Sequence, residues 1–135
     1  MPGEIDLLRE LIAIPSISGQ ETELAAFVEQ TARRWGLDAV RNESGVRIEV
    51  RGCGAGPTLA LASHLDVVPP GAGWTRDPFT PTIEGTRLYG RGSGDAKASV
   101  AAMLYAAKDI VDSGGMDGGR LIVLLGLGEE TKNTT

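Results

Sequence analysis

The feature that most constrains the fold is a short apolar segment that ends two residues before the chain's single histidine. Residues 59–62 are leucine and alanine only, and His64 and Asp66 follow, with one residue between them. A continuous apolar run of this kind is typical of a buried strand in a layered α/β fold. Because side chains at positions i and i+2 of an extended chain share a face, His64 and Asp66 are expected to enter one cleft. An acid in that position can orient the imidazole of a metal-binding histidine.

Helices and strands are predicted to alternate along the chain. Apolar spacing predicts a helix over residues 5–14, ended by Pro15, and a second helix that stops near Gly36. Ser18 and Glu21 have the spacing of a capping box and are expected to begin that second helix. The remaining predictions are a half-exposed strand at 46–50, a glycine-rich turn at 52–56, a buried strand at 58–62, an irregular loop at 67–81, a buried apolar helix at 96–111 and a buried strand at 121–125. This alternation predicts an α/β layer structure.

Composition narrows the classes of function. The chain carries a formal net charge of -5 and no cluster of lysine and arginine, so we expect no nucleic-acid partner. No apolar run approaches the length of a membrane span, and the N-terminus has no signal-like apolar stretch. The single cysteine, Cys53, cannot form an internal disulfide. We therefore expect a cytoplasmic protein without a membrane partner.

Groups that can bind metal ions stand at three predicted structural boundaries. His64 and Asp66 follow the strand at 58–62, and Asp95 precedes the helix at 96–111. The pair Glu129 and Glu130 follows the strand at 121–125. Each has an ordinary structural interpretation, namely a hydrogen-bonded histidine, a helix-capping aspartate and a solvated acidic loop. Together, one imidazole and several carboxylates form a ligand set suited to Zn²⁺ and similar ions.

Three competing motif classes are excluded by their surroundings. The glycines at 52–56 imitate a dinucleotide fingerprint, but Pro57 and a strand follow them, whereas the fingerprint requires a helix. No glycine-rich loop ends in Gly-Lys-Ser or Gly-Lys-Thr, so a phosphate-binding NTPase loop is absent from the sequence. No Gly-x-Ser-x-Gly elbow follows a strand, which argues against a serine nucleophile.

Several motifs together resemble one family. They are Ser63 to Pro69, Trp74, Asp77 to Phe79, Leu88 to Lys97, and the pair Glu129 and Glu130. In order and approximate spacing they resemble the zinc-dependent amidohydrolases and exopeptidases that include acetylornithine deacetylase, succinyl-diaminopimelate desuccinylase, aminoacylase and carboxypeptidase G. The resemblance covers almost the whole chain, and it is specific for the family but not for a substrate.

The resemblance implies a role for each candidate residue. His64 and Glu130 are expected to bind one metal ion each, and Asp95 is expected to bridge the two ions. Glu129 is expected to act as the general base, and Asp66 is expected to orient His64. The resemblance further implies two Zn²⁺ ions per complete site, with Co²⁺ as a possible substitute.

The resemblance also implies a fold. The expected architecture is a three-layer α/β sandwich of the zinc-exopeptidase type, with a mixed, mostly parallel sheet and helices on both faces. The chain is expected to form an incomplete part of it, because members of the family are much longer. A cis peptide bond is expected between Asp95 and Ala96, with glycines allowing close backbone approach in the same turn.

The expected reaction is metal-dependent hydrolysis of an amide bond in an N-acyl amino acid or small peptide, with acetylornithine as the first substrate. Residues 1–135 are expected to be the N-terminal portion of the catalytic domain, without the dimerisation domain and the downstream metal ligands. The intact enzyme is expected to be a homodimer through that domain. Two alternatives stay open: a catalytically silent truncated module, and a metal-free α/β binding domain.

Overall fold

The computed structural model describes residues 3–131. In chain order its elements are α1 (Glu4–Ala13), α2 (Thr22–Arg34), β1 (Asp38–Asn42), β2 (Gly45–Arg51), β3 (Gly54–His64), β4 (Thr82–Glu84), β5 (Arg87–Tyr89), α3 (Lys97–Asp112) and β6 (Gly118–Gly126). Strands β1, β2, β6 and β3 form one sheet in that order, and β4 pairs with β5 in a separate hairpin. Over residues 3–131, none of the helices combines the length and apolar character needed to cross a lipid bilayer.

The sheet is mixed, as expected, but it is not mostly parallel over the described residues. Strand β6 runs parallel to β3 and antiparallel to β2, and β1 is antiparallel to β2. The physical reason lies partly in the turn between β1 and β2, where Asn42 pairs with Gly45. Antiparallel neighbours can be joined by so short a turn, whereas parallel neighbours need a long crossover. The α/β class is confirmed, and the expected dominance of parallel pairing is wrong for residues 3–131.

Helices α2 and α3 pack against one face of the sheet and α1 packs against α3, so the described helices do not cover both faces as expected. The alternate residues of β2 and β6 that point to this face are all buried: Val46, Ile48, Val50, Leu121, Val123 and Leu125. They form one core with the apolar residues of the helices. The opposite face carries Arg47 and Leu124, and Leu124 is 42% exposed. Among the described residues, this second face has no helix over it.

Strand β3 is longer and more exposed than predicted. It begins at Gly54, inside the predicted turn at 52–56, and continues to His64. Within the described sheet β3 has a neighbour on one side only, and Leu59 is 60% exposed. The predicted burial of this strand is therefore wrong, because apolar composition does not reveal the position of a strand in its sheet. Strand β1 was not predicted, since Ala39 is its single buried residue and no apolar alternation marks it.

A buried lysine joins α3 to α1. Lys97, the first residue of α3, is 1% exposed. Its Nζ donates hydrogen bonds to the carbonyl oxygens of Leu11, at 2.7 Å, and Ile14, at 2.8 Å. These carbonyls belong to the C-terminal end of α1, where backbone acceptors lack helical partners and positive charge is favourable. Burial lowers the pKa of Lys97 to about 8. The contact fixes the start of α3, and with it Asp95, against α1.

Replacing Lys97 by methionine is expected to lower the free energy of unfolding by about 2 kcal/mol, because two buried carbonyls lose their donor. Urea unfolding curves measure this change. The control is Lys108→Met on the same helix, expected to cost less than about 1 kcal/mol, because Lys108 pairs with the exposed carboxylate of Asp112 and leaves no buried carbonyl without its donor. Equal losses in the two variants would contradict the structural role of Lys97.

Candidate metal centre

Two parallel neighbours, β3 and β6, end at the same edge of the sheet. His64, the last residue of β3, pairs with Gly126, the last residue of β6. The chain that follows β3 carries Asp66, and the loop that follows β6 spans residues 127–130. The carboxyl ends of parallel strands are where α/β proteins commonly place binding sites. The topology therefore brings the histidine and the acidic loop together.

The predicted metal ligands converge at this edge. One ligand atom from each of His64, Asp95 and Glu130 lies within 4.8 Å of the others. The Nε2 atom of His64 is 3.1 Å from Asp95 Oδ1 and 3.8 Å from Glu129 Oε2. All four side chains thus meet at one place, although they come from three separate parts of the chain.

The surroundings of His64 turn a nitrogen lone pair toward a carboxylate. Its Nδ1 lies 3.0 Å from the backbone carbonyl oxygen of Asp66 and 3.2 Å from Asp66 Oδ1. Both oxygens are acceptors, so the hydrogen-bond network assigns a proton to Nδ1. In the neutral ring Nε2 is then an acceptor that faces Asp95 Oδ1. Two acceptors at this separation need a proton or a metal ion between them, and an imidazole with carboxylates suits a Zn²⁺-like ion. The residues therefore fit a metal ion.

Two residues of the site, His64 and Glu130, have raised pKa values, and neighbouring negative charges contribute to both shifts. Burial works to lower the pKa of His64, but hydrogen bonds to Asp66 and Asp95 and the charges of Asp66 and Glu129 raise it overall. Burial raises the pKa of Glu130, and the neighbouring charge of Asp95 raises it further. Both shifts favour an added positive charge, which either a proton or a metal ion can provide.

The carboxylate of Asp66 contacts both His64 and the loop that carries Glu129 and Glu130. Its side chain is fully buried. Oδ1 accepts a hydrogen bond from the backbone N–H of Glu129 at 3.0 Å, and Oδ2 accepts one from that of Glu130 at 2.9 Å. The hydroxyl of Ser18 donates to Oδ2 at 2.6 Å. Burial works to raise the pKa of Asp66, but these hydrogen bonds and the charge of His64 lower it overall. Asp66 therefore does more than orient the imidazole, because it also holds the backbone of the acidic loop.

Asp95 lies in a tight turn directly before α3. The N-cap of α3 is Ala96, and no side chain caps the helix, so the capping interpretation of Asp95 is wrong. The Asp95 side chain is 78% exposed and faces His64. The peptide bond between Asp95 and Ala96 is cis, as the resemblance implies. Gly92 has φ +87, and a Cβ there would lie 2.9 Å from a methyl group of Val67, so glycine permits the close approach in this turn.

The sequence did not assign Ser18 and Glu21 to the site, because their spacing matches that of a helix-capping box. The predicted capping box does not form: α2 begins at Thr22, and its N-cap, Glu21, makes no side-chain cap bond. Ser18 instead donates to Asp66, and Glu21 Oε1 accepts from the backbone N–H of Gly128 at 2.9 Å. Local spacing carries no sign of these distant partners, so the sequence alone offered no signal for them.

Comparison with known proteins assigns the fold and the candidate site to a peptidase family. The model of Peptidase family M20/M25/M40 matches residues 60–134, more than half of the chain. The chain belongs to this family.

Individual relatives support the same assignment. The chain is 43% identical over 137 residues to the succinyl-diaminopimelate desuccinylase of Stenotrophomonas maltophilia, a match that covers 96% of this chain and 36% of the relative. It is 39% identical over 119 residues to the enzyme of that name from Rhizorhabdus wittichii, covering 82% and 31%. The solved M20 family metallo-carboxypeptidase Sso-CP2 from Sulfolobus solfataricus superposes with a TM-score of 0.83 at 30% identity, covering 96% of this chain and 32% of that one. The chain thus spans about a third of the length of the relatives it matches.

Proposed function

We propose that His64, Asp95 and Glu130 bind divalent metal ions, and that the protein carrying this chain hydrolyses an amide bond in an N-acyl amino acid or small peptide. The observation that carries the proposal is the convergence of these three ligand atoms within 4.8 Å. The geometry around His64 adds to it, because Nε2 faces the Asp95 carboxylate while Nδ1 is held by Asp66. Membership of a peptidase family supports hydrolysis as the reaction.

A bound divalent ion supplies Lewis acidity, which makes a water molecule more acidic and an amide carbonyl more electrophilic. Glu129 is the proposed general base, because its side chain is 63% exposed and its Oε2 lies 3.8 Å from His64 Nε2. It is expected to accept the proton of the attacking water and to pass it to the leaving amine nitrogen. Asp66 is expected to keep His64 in the tautomer that leaves Nε2 free.

The proposal includes two Zn²⁺ ions per complete site, and the exposed carboxylate of Asp95 would be shared between them. Co²⁺ is expected to replace Zn²⁺, because imidazole and carboxylate ligands accept both ions. The role of residues 1–135 as the N-terminal portion of a catalytic domain, the homodimer and the cytoplasmic location stay predictions.

Succinyl-diaminopimelate is the first substrate to test, in place of the acetylornithine expected from the sequence. Support comes from the two desuccinylase relatives, at 43% and 39% identity. A small peptide with a free carboxyl terminus is the second, because Sso-CP2 is a metallo-carboxypeptidase.

The test measures release of free amine from N-succinyl-diaminopimelate, N-acetylornithine and a dipeptide, using the complete protein that carries this chain. The protein is first stripped of metal with a chelator and then supplied with Zn²⁺ or Co²⁺. We expect turnover that depends on added metal and is fastest with the succinyl substrate. Absence of hydrolysis of all three substrates in a metal-loaded, folded protein would contradict the proposal.

A further inference from the structure

We propose that residues 16–21, which we call the strap, position the candidate metal ligands, and that Ser18 and Glu21 are the positioning residues. The strap lies between α1 and α2 and packs along the chain segment that follows His64. This inference rests on the proposed metal site and deepens it, because it names the residues that fix the geometry of the ligands.

The backbone of the strap is joined to the segment that contains Asp66. Ile17 forms a parallel bridge with Val67, whose N–H donates to the carbonyl of Ser16 at 2.9 Å. The buried hydroxyl of Ser16 donates to the carbonyl of Leu65 at 2.8 Å. The strap is therefore held on both sides of Asp66, and its side chains have defined positions relative to that carboxylate.

Ser18 fixes the orientation of the Asp66 carboxylate. Its hydroxyl donates to Oδ2 at 2.6 Å, and the same oxygen accepts the N–H of Glu130 at 2.9 Å. The other oxygen, Oδ1, contacts the N–H of Glu129 and Nδ1 of His64. Without the hydroxyl, one of the donors that hold the carboxylate plane is lost. The contacts of Asp66 to both ligand-bearing segments then become less well defined.

Glu21 extends this control to the acidic loop. It is 5% exposed, and its Oε1 accepts the N–H of Gly128 at 2.9 Å. Three successive backbone N–H groups of the loop, at residues 128, 129 and 130, thus donate to carboxylates from other parts of the chain, one to Glu21 and two to Asp66. These bonds fix the backbone of the loop, and they therefore fix the Cα positions of Glu129 and Glu130.

Neither Ser18 nor Glu21 makes a side-chain bond that caps α2. Ser18 and Glu21 have the spacing of a capping box, yet α2 has no side-chain cap. A missing cap typically costs a helix about 1 kcal/mol. Two capping-type side chains that both bind parts of the candidate site, and not the adjacent helix, indicate that positioning the site is their role.

The experiment uses two truncations, each with a rescuing variant, in the complete protein. Ser18→Ala removes the hydroxyl, and Ser18→Thr retains it. Glu21→Ala removes the acceptor, and Glu21→Gln retains an acceptor oxygen. The control is Ser99→Ala, at an exposed position of α3. Each metal-free variant is titrated with Co²⁺, and the dissociation constant and the visible absorption spectrum of bound Co²⁺ are recorded. Circular dichroism shows that each variant is folded.

We expect the two alanine variants to bind Co²⁺ about 10- to 100-fold more weakly, with an altered spectrum, as is typical when a partner of metal ligands is removed. The threonine and glutamine variants should recover most of the affinity and the spectrum of the original protein, and Ser99→Ala should match it. Folded alanine variants with unchanged affinity and spectrum would overturn the proposal. Failure of both rescuing variants alongside a normal Ser99→Ala would also overturn it.

Hydrogen exchange separates this proposal from the proposed function. In metal-free protein, the amides of Gly128, Glu129 and Glu130 are expected to exchange at least about 10-fold faster in the alanine variants, because their acceptors are lost or displaced. If the original protein binds no Co²⁺, the proposed metal site fails, and the strap is then judged on exchange alone. Unchanged exchange of these three amides in the alanine variants would overturn the strap itself.

Discussion

Replacing Asp66 by asparagine is expected to lower the free energy of unfolding by about 2–4 kcal/mol and to weaken metal binding by at least about 10-fold. The carboxylate is fully buried and accepts from the hydroxyl of Ser18 and from two backbone N–H groups. An asparagine of the same shape has one oxygen and one NH₂ group, so a donor must face a donor on one side. Urea unfolding of the metal-free protein and Co²⁺ titration measure the two losses.

The matched control for this substitution is Asp117→Asn, at an exposed position between α3 and β6. It is expected to change the free energy of unfolding by less than about 0.5 kcal/mol. An effect of Asp66→Asn no larger than that of Asp117→Asn would contradict the role assigned to the buried carboxylate.

The stability difference between the original metal-free protein and Asp66→Asn is also expected to depend on pH. The pKa of Asp66 is lowered from its usual 3.8, so the folded state favours the charged carboxylate. Its contribution is therefore fully present above pH 3.8 and is lost as the pH falls through the lower pKa of the folded state. Unfolding curves of both proteins between neutral and acidic pH should converge at the acidic end. A difference that stays constant down to the lowest pH at which both proteins fold would contradict this assignment.

Replacing Glu129 by glutamine is expected to reduce kcat by about 10²- to 10⁴-fold while metal affinity changes little. Glutamine cannot accept the proton of the attacking water. The backbone N–H of residue 129, which donates to Asp66, is unaffected by the substitution. Steady-state kinetics on the metal-loaded complete protein, together with Co²⁺ titration, separate loss of the base from loss of the metal.

Glu43→Gln serves as the control, because Glu43 is exposed in the turn between β1 and β2. Its kcat should equal that of the original protein. Full turnover in Glu129→Gln would remove Glu129 from the role of general base, and it would leave the metal-binding proposal to be judged by its own test.

The candidate site was predictable from sequence to the extent that its residues stand at the ends of apolar segments. The run at 59–62 pointed to His64 and Asp66, and the run at 121–125 pointed to the acidic loop after it. Strands β3 and β6 lie side by side and parallel, so their ends deliver these groups to one edge. The local pattern marked each boundary, and pairing of the two strands in the fold brought the boundaries together.

Features that depend on contacts between distant parts of the chain could not be predicted from the local sequence pattern. Ser18 and Glu21 fit a capping box, and the bonds they make are decided by Asp66 and Gly128, more than 40 residues away in sequence. The exposure of β3 could not be predicted for the same reason. An apolar strand has the same sequence pattern whether it lies at the centre or at the edge of a sheet. Helix α1, by contrast, depends on its own apolar spacing, and the structure confirms it at Glu4–Ala13.

Calorimetric titration of the metal-free protein with Zn²⁺ tests the central claim most directly. The original protein is compared with His64→Asn, Asp95→Asn and Glu130→Gln, and with the exposed-site control Glu43→Gln. We predict saturable binding that each of the three ligand substitutions weakens by at least about 10-fold, while the control binds as the original protein does. Binding of equal strength in all the variants, or no binding by the folded original protein, would contradict the account.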